Sequence, residues 1–477
     1  MKMNGFKSSH AMFCNRTLNL NGMRAIGYDM DYTLIHYRME AWEQRAYTYI
    51  KDRLLLEGWP VEELAFDPQL VMRGLVIDTE YGNIVKANRF GYVKRTFHGI
   101  NPLDFNTQRN LYQRILVDLS DSRWHFLNTL FSISEACLYM QLVDLLDCGK
   151  LAGAIGYRDL YERIRRAADE AHMEGRLKAE IIAAPERFVD LDEDMPLALL
   201  DQKEAGKKLL LITNSDWTYA APMLSYAFDR FLPGAMTWRD LFDIAILGAR
   251  KPDFFSFSMP VFEVVSEDGL LREHRGTLAG GHVYMGGNAT LVERSLGLRG
   301  EEILYVGDHI FVDVNVSKNI MRWRTALVIR ELEEEIAAIE SFQDQQAQIS
   351  RMMQQKEDME LQYASLRLEL QRIQRNYGPR SRRTAKELDR TLAELHDRIV
   401  ELDGRIAPLA QAAGRLLNPN WGLLMRTGID KSHLARQIER YADVYTSRVS
   451  NFLHATPFAF LRSHRGSLPH DPMGGPY

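Results

Sequence analysis

The chain has 477 residues, 46% of them hydrophobic and 26% charged, with a formal net charge of -5. These are globular proportions, the length calls for two or three domains, and the mild acidity excludes a global electrostatic attraction to nucleic acid or anionic membrane. Three cysteines (Cys14, Cys137 and Cys148) are odd in number and spaced for neither a zinc site nor a disulfide framework. They read as reduced thiols, and with no apolar leader and no run of membrane-spanning length the predicted location is cytoplasmic.

The first predicted element is a short buried strand at residues 24–28, R-A-I-G-Y, which runs into D-M-D-Y-T. A helix is predicted over 39–57 and a hairpin over 75–85, with its turn at Tyr81-Gly82-Asn83. Residues 106–193 read mostly as helix, an inserted block between strand-bearing regions. Continuous apolar runs then return at 208–213, 242–247, 302–307 and 325–329, as expected for strands buried on both faces. Strands alternating with helices imply a parallel sheet with right-handed crossovers.

From residue 331 to about 417 the chain becomes rich in Glu, Gln, Arg and Leu. Two heptad seams, one ending near Tyr377 and one running from Leu388 to Leu409, flank Gly378-Pro379. They predict an antiparallel helical hairpin. The remaining segment, 418–477, is predicted to be helical and to pack on the core or on a partner subunit. The domain reading is therefore a core of 1–105 with 194–330, a helical cap of 106–193, the hairpin of 331–417 and the C-terminal segment.

Chemistry-bearing residues recur just after the predicted strands. Asp29 and Asp31 follow the first; two carboxylates without a neighbouring base favour a divalent cation with oxygen ligands. Thr213-Asn214-Ser215-Asp216 follows the second and offers a hydroxyl, an amide and helix-start N–H groups to a phosphate. Lys251, in A-R-K-P-D, adds a compact cation. Asp308 and Asp313, in G-D-H-I-F-V-D, bring a second acid pair to the same edge.

That ordered set resembles the haloacid dehalogenase (HAD) superfamily. The motifs I-G-Y-D-M-D-Y-T-L, R-G-L-V-I-D-T-E-Y-G-N, F-L-N-T-L-F, T-N-S-D, A-R-K-P and I-L-Y-V-G-D-H-I-F are similar to those of its cytosolic purine 5′-nucleotidase family. The resemblance implies an α/β fold: a HAD-like Rossmannoid parallel sheet, an inserted helical cap and the hairpin as an extension. It implies Asp29 as nucleophile, Asp31 as general acid and base, and Thr213 with Lys251 holding phosphate beside Asn214 and Ser215. Mg²⁺ is implied on Asp29, Asp308 and the Asp31 backbone carbonyl, supported by Asp313. Phe131 resembles a base-stacking residue, and Arg165, Asp169 and His172 resemble base-contacting residues about one helical turn apart. The implied substrate is a purine nucleoside 5′-monophosphate (IMP or GMP), with phosphotransfer to a nucleoside as a second outcome. Apart from the resemblance, the exposed heptad seams predict a homo-oligomer, a dimer or a tetramer, with the hairpin contributing to its assembly. Two other readings fit the residues: a phosphatase of the same fold acting on another small phosphate ester, and an interaction scaffold that uses the hairpin. Val312 stands where relatives carry glycine, and Asn319 where they carry lysine.

Overall fold

The computed structural model describes residues 10–151, 153–173 and 175–463, with the side chains of 171–173 outside that description. Two compact units emerge, Met1–Glu333 with Leu424–Tyr477, and Glu334–Leu423. Among the described residues no helix is long and apolar enough to cross a membrane, and Cys14, Cys137 and Cys148 are free.

The larger unit is built on a ten-stranded sheet. Seven strands are parallel: β1 (Ala25–Tyr28), β2 (Lys208–Ile212), β3 (Ile244–Leu247), β4 (His282–Gly286), β5 (Ile303–Gly307), β6 (Arg324–Val328) and β7 (Val444–Thr446), in the spatial order β7-β6-β5-β1-β2-β3-β4. Phe13–Cys14 adds antiparallel to β7, and Val261–Val264 with Leu271–His274 extends the β4 edge antiparallel. The apolar runs of β1, β3 and β5 are buried throughout, which explains why they show no period-2 alternation. The chain winds outward from β1 through β2, β3 and β4, then returns to β5 on the other side of β1. That reversal makes β1 the switch point, and ligand sites lie at the carboxyl ends of strands there. Register is fixed tightly: Tyr28 pairs with Leu211 on one side and Val306 on the other. Gly27 has a steric reason, because a Cβ there would stand 2.9 Å from the Tyr305 ring.

Between β1 and β2 lies the inserted segment, and here the sequence reading needs correction. It is not all helical. Five antiparallel strands pair in the order Asn101–Pro102, Val93–His98, Asn83–Ala87, Val76–Asp78 and Trp124–Phe126. Trp124–Phe126 falls inside the block expected to be helix; three residues are too few to declare a period. The helix Met39–Leu56, assigned to the core from sequence, packs against Ile133–Asp147 and Tyr157–Met173 of the insertion. The insertion is entered and left by His36–Tyr37 and Val189–Asp190, which pair antiparallel. The predicted hairpin at 75–85 forms, with Gly82 at φ 66° in its turn.

The C-terminal segment is also less helical than predicted. Among the described residues α-helix is confined to His433–Tyr441 and Phe452–Ala455, and between them Val444–Thr446 joins the sheet as β7. Asp443, immediately before it, explains the switch. Its carboxylate binds Lys318, the Arg324 Nε at 2.8 Å and the Thr325 N–H at 3.1 Å. These contacts anchor the chain to the edge of β6.

The smaller unit contains the predicted hairpin. Gln343–Arg375 and Ala385–Ala413 are helices joined across Gly378-Pro379. Leu366 and Leu370 meet Leu388, Leu392 and Leu395 near the turn, and Met352 meets Leu402 and Ile406 farther along. This is the register of an antiparallel pair. Lys356, a polar break in the seam, finds Asp403 at 2.6 Å. The compact unit is displaced from the predicted 331–417 to Glu334–Leu423.

Candidate active site

Asp29 directly follows β1, and its N–H donates to the Val306 carbonyl at 2.9 Å, extending the β1–β5 ladder by one residue. The chain then turns: the Leu34 and Ile35 N–H groups both return to the Met30 carbonyl at 2.9 Å. Tyr32 is held there at φ 54°, a left-handed conformation uncommon for a bulky residue. Because the extended geometry ends, the side chains of Asp29 and Asp31 acquire different partners. Asp29 Oδ1 accepts from the Met30 N–H at 2.8 Å and from Lys251 Nζ at 2.8 Å. Asp31 Oδ1 accepts from the Tyr37 hydroxyl at 2.5 Å, and Oδ2 from the Ser215 hydroxyl at 2.7 Å. Tyr37 is in turn supported by the Tyr219 hydroxyl at 2.9 Å.

Lys251 is the hub. Its Nζ lies 2.8 Å from Asp29, 2.7 Å from Asp313 and 3.0 Å from the Tyr305 hydroxyl, which itself donates to the Ile212 carbonyl. Asn214 fixes the lysine's backbone from both sides, donating to the Lys251 carbonyl at 3.1 Å and accepting its N–H at 2.6 Å. Thr213 is buried, and its hydroxyl accepts from the Ser215 N–H at 3.1 Å. The side chains of Asn214 and Ser215, expected to touch substrate, thus hold Lys251 and Asp31 in place. Gly307 has to be glycine for a close approach: a Cβ there would stand 2.6 Å from the Asp313 side chain.

Asp29, Asp308 and Asp313 form an acidic cluster whose potential ligand oxygens all lie within 4.8 Å of one another. Asp313 spends both oxygens, on Lys251 Nζ and on the His309 N–H at 3.1 Å. Asp308 keeps a buried Oδ2 with no hydrogen-bond partner. Burial raises the Asp29 pKa to about 6, helped by Asp313 and opposed by Lys251. Burial, then Asp313, pushes Asp308 well above the usual carboxylate range, and burial also raises Asp31. For Lys251 burial works against the charge, but Asp29 and Asp313 outweigh it and hold the pKa well up. Three buried carboxylates facing one ammonium are short of positive charge. A hard divalent cation with oxygen ligands fits that deficit, with Asp29 and Asp308 carrying the available oxygens.

A cavity of about 1060 Å³ is lined by Phe131, Arg165, Asp169 and His309 among others, and His309, directly after Asp308 in the chain, links it to this cluster. Three of the four residues expected around a base are therefore brought together; the side chain of the fourth, His172, lies outside the described residues. Phe131 stands edge-on to Tyr32 and Trp42, with ring centroids 4.7 and 5.3 Å away. Glu135 shares the cavity, its pKa raised first by burial and also by Asp169, against the pull of Arg165. Arg436, Gln437, Arg440 and Tyr441 line the far side of the same space.

Sequence reasoning missed several participants. Tyr37 and Tyr305 carry no local signal, since their roles depend on which strand tips converge. Lys178, from the helix Arg176–Ala183, lowers the Asp31 pKa and sits 4.9 Å over the Tyr219 ring. Arg73 was visible only as a letter in R-G-L-V-I-D.

The model of the 5′ nucleotidase family matches residues 12–473. A 5′-nucleotidase domain-containing protein of Dictyostelium discoideum is 26% identical over 470 residues, a match covering 96% of this chain and 74% of that one. Among solved structures, an archaeal β-phosphoglucomutase from Pyrococcus matches at 12% identity and a TM-score of 0.31, over 64% of this chain and 87% of that one. A haloacid dehalogenase-like hydrolase of Xanthomonas campestris matches at 13% identity and a TM-score of 0.25, over 64% and 82%. With a family match spanning nearly its whole length, the chain belongs to the 5′ nucleotidase family of phosphoric monoester hydrolases.

Proposed function

We propose that the protein hydrolyses purine nucleoside 5′-monophosphates, IMP or GMP, in a Mg²⁺-dependent reaction through an aspartyl-phosphate, with a nucleoside able to replace water as acceptor. The observation that carries this reading is one of placement. The cavity holding Phe131, Arg165 and Asp169 reaches His309, whose neighbour in the chain, Asp308, belongs to the cluster with Asp29, Lys251 and Asp313.

An Asp29 oxygen attacks phosphorus, and the bond from phosphorus to the nucleoside 5′-oxygen breaks. Asp31, whose raised pKa favours the protonated acid, delivers its proton to that oxygen. Asp31, now a carboxylate, takes a proton from water as the water attacks phosphorus, which releases phosphate and frees Asp29. Tyr37 and Ser215 hold Asp31 for both tasks. Thr213 and Lys251 hold the phosphoryl oxygens. Bound at Asp29 and Asp308, Mg²⁺ would neutralise charge on the transferring group. In the cavity, Phe131 stacks on the base while Arg165 and Asp169 read its acceptor and donor edges.

Phosphate release measured across IMP, GMP, AMP, CMP, UMP and glycerol phosphate tests the substrate. IMP or GMP should lead, and Phe131→Ala should raise KM for the preferred nucleotide roughly 5- to 150-fold, the value of one stacked base, with kcat changed less. Release from glycerol phosphate alone would point to a different phosphate ester, and an unchanged KM would remove Phe131 from the pocket.

The proposal includes a homo-oligomer in the cytoplasm. The hairpin supports the assembly, because its helix Gln343–Arg375 leaves Met353, Leu361 and Leu368 exposed on its outer face and exposed apolar stripes on long helices find partners. Deleting 334–423 should reduce the sedimenting species by more subunits than the missing mass explains. A profile altered only by that mass would refute the hairpin's part in assembly.

A further inference from the structure

One buried arginine touches both halves of the site. Arg73 is 3% exposed and lies just before the strand Val76–Asp78. Its Nε–H donates to the Asn128 carbonyl at 2.8 Å, and an Nη2–H donates to the Asp308 carbonyl. Nη1 stands 3.7 Å from Glu331 Oε2, which balances the buried charge.

The consequences at Asp308 follow from peptide geometry. The peptide between Asp308 and His309 is held at both polar ends, its C=O by Arg73 and its N–H by Asp313 Oδ2 at 3.1 Å. A peptide is planar, so fixing both ends fixes the Asp308 Cα, and with β5 holding the chain up to Gly307 on its other side the direction in which the Asp308 side chain leaves the backbone is constrained from both sides. The carboxylate is aimed without spending its own oxygens, and Oδ2 stays free in the buried site. At the other end, Asn128 lies three residues before Phe131. Its loop is tied to the same stretch of chain, by Gly74 N–H to the Leu127 carbonyl at 2.7 Å and Leu127 N–H to the Leu75 carbonyl at 2.9 Å. The guanidinium is a rigid planar fork, so a displacement of either carbonyl is felt at the other. A lysine offers no such fork.

We infer that Arg73 is a positioning residue that aims Asp308 at the cation and couples cation binding to occupation of the base cavity. The coupling half rests on the purine reading above; the aiming of Asp308 does not.

Calorimetric titration of the full-length protein with Mg²⁺, with and without saturating inosine, tests both halves. Inosine carries no phosphate, so it has no direct bond to the cation and any coupling must pass through the protein. In the wild type, inosine should tighten Mg²⁺ binding about 5-fold or more, the lower end of measured site–site coupling. Arg73→Lys should weaken Mg²⁺ binding about 10-fold, as disturbing a residue that orients a ligand does, and bring the inosine effect close to none. Arg73→Ala with added methylguanidinium should recover Mg²⁺ affinity, because the ion refills the vacated site. Wild-type Mg²⁺ affinity in Arg73→Lys would overturn the inference. So would loss of affinity in Arg73→Ala without methylguanidinium rescue, which would leave Arg73 a purely structural role. A wild type that binds inosine and Mg²⁺ independently would overturn the coupling half, and one that binds Mg²⁺ but no inosine would instead defeat the purine reading; in either case the Mg²⁺ affinity of Arg73→Lys would still decide the aiming of Asp308.

Discussion

Asp29→Asn should lower steady-state phosphate release by at least about 10⁴-fold, because loss of a covalent nucleophile removes the step that all later chemistry requires. The substitution is nearly isosteric and leaves the local backbone bonding in place. Asp29 extends the ladder between β1 and β5 through its backbone N–H, a bond the amide leaves intact. Its side chain accepts from Met30 N–H and Lys251 Nζ through Oδ1, and an asparagine carbonyl oxygen can accept from both. The variant should therefore stay folded and lose turnover without losing the cavity, so nucleotide binding measured directly should survive. Asp31→Asn should behave differently. A leaving group as poor as a ribose alkoxide still needs its proton, so turnover falls with a natural nucleotide. A substrate with a good leaving group, such as p-nitrophenyl phosphate, should still phosphorylate Asp29, and the aspartyl-phosphate should accumulate for want of a base. Acid quench of the reaction, with detection of acid-stable, base-labile phosphate on protein, distinguishes the two variants. Equal residual rates for both, with no trapped phosphate in Asp31→Asn, would mean that the two carboxylates do not divide the work in this way.

The parallel core was legible because a strand buried on both faces leaves a continuous apolar run, and β1, β2, β3, β5 and β6 each left one. The acids and the lysine were legible because strand tips at a switch point are the natural places for ligand-binding side chains. The hairpin was legible from its heptads. What escaped includes β4, whose run His282–Gly286 is broken by polar and glycine residues, together with two shorter strands and several contacts distant in sequence. Trp124–Phe126 and Val444–Thr446 are strands of three residues each, shorter than any period, and their identity comes from the neighbour they pair with. Tyr37, Tyr305 and Arg73 act through contacts across long sequence separations: Arg73 reaches Asp308, and Tyr305 reaches Lys251. The turn after β1 was a subtler miss. An extended segment would put Asp29 and Asp31 on one shared side, but the Met30 carbonyl closes a turn there. The result serves a division of roles better, since Asp29 faces Lys251 while Asp31 is held by Tyr37 and Ser215.

Lys251→Met should combine a loss of turnover with a loss of stability that depends on pH and on divalent cation. On turnover, removing one preorganised positive group aimed at a transferring phosphoryl costs about 10²–10³-fold. On stability, Lys251 and Asp313 side chains are each 1% exposed and paired at 2.7 Å. Breaking a buried pair by removing one partner costs about 3–5 kcal/mol, because the remaining charge is left uncompensated. The pH sign follows from Asp29. Burial raises its folded pKa from 3.8 to about 6, so the stability this group contributes is fully present below pH 3.8 and is lost as pH rises through about 6. In the variant the opposing pull of Lys251 is gone, so the carboxylate cluster resists ionisation further. The stability difference between the wild type and Lys251→Met, measured by denaturant unfolding without divalent cation, should widen between pH 4 and pH 8. Mg²⁺ at a hundred times its dissociation constant should return about 2.7 kcal/mol to either protein, and less at pH 5, where protons compete for the ligand oxygens. Turnover should not return with it, because a cation held by Asp29 and Asp308 would not replace the Lys251 ammonium between Asp29 and Asp313. A stability difference that is flat with pH would show that Lys251 is held by packing alone and that the acidic cluster does not depend on it for charge.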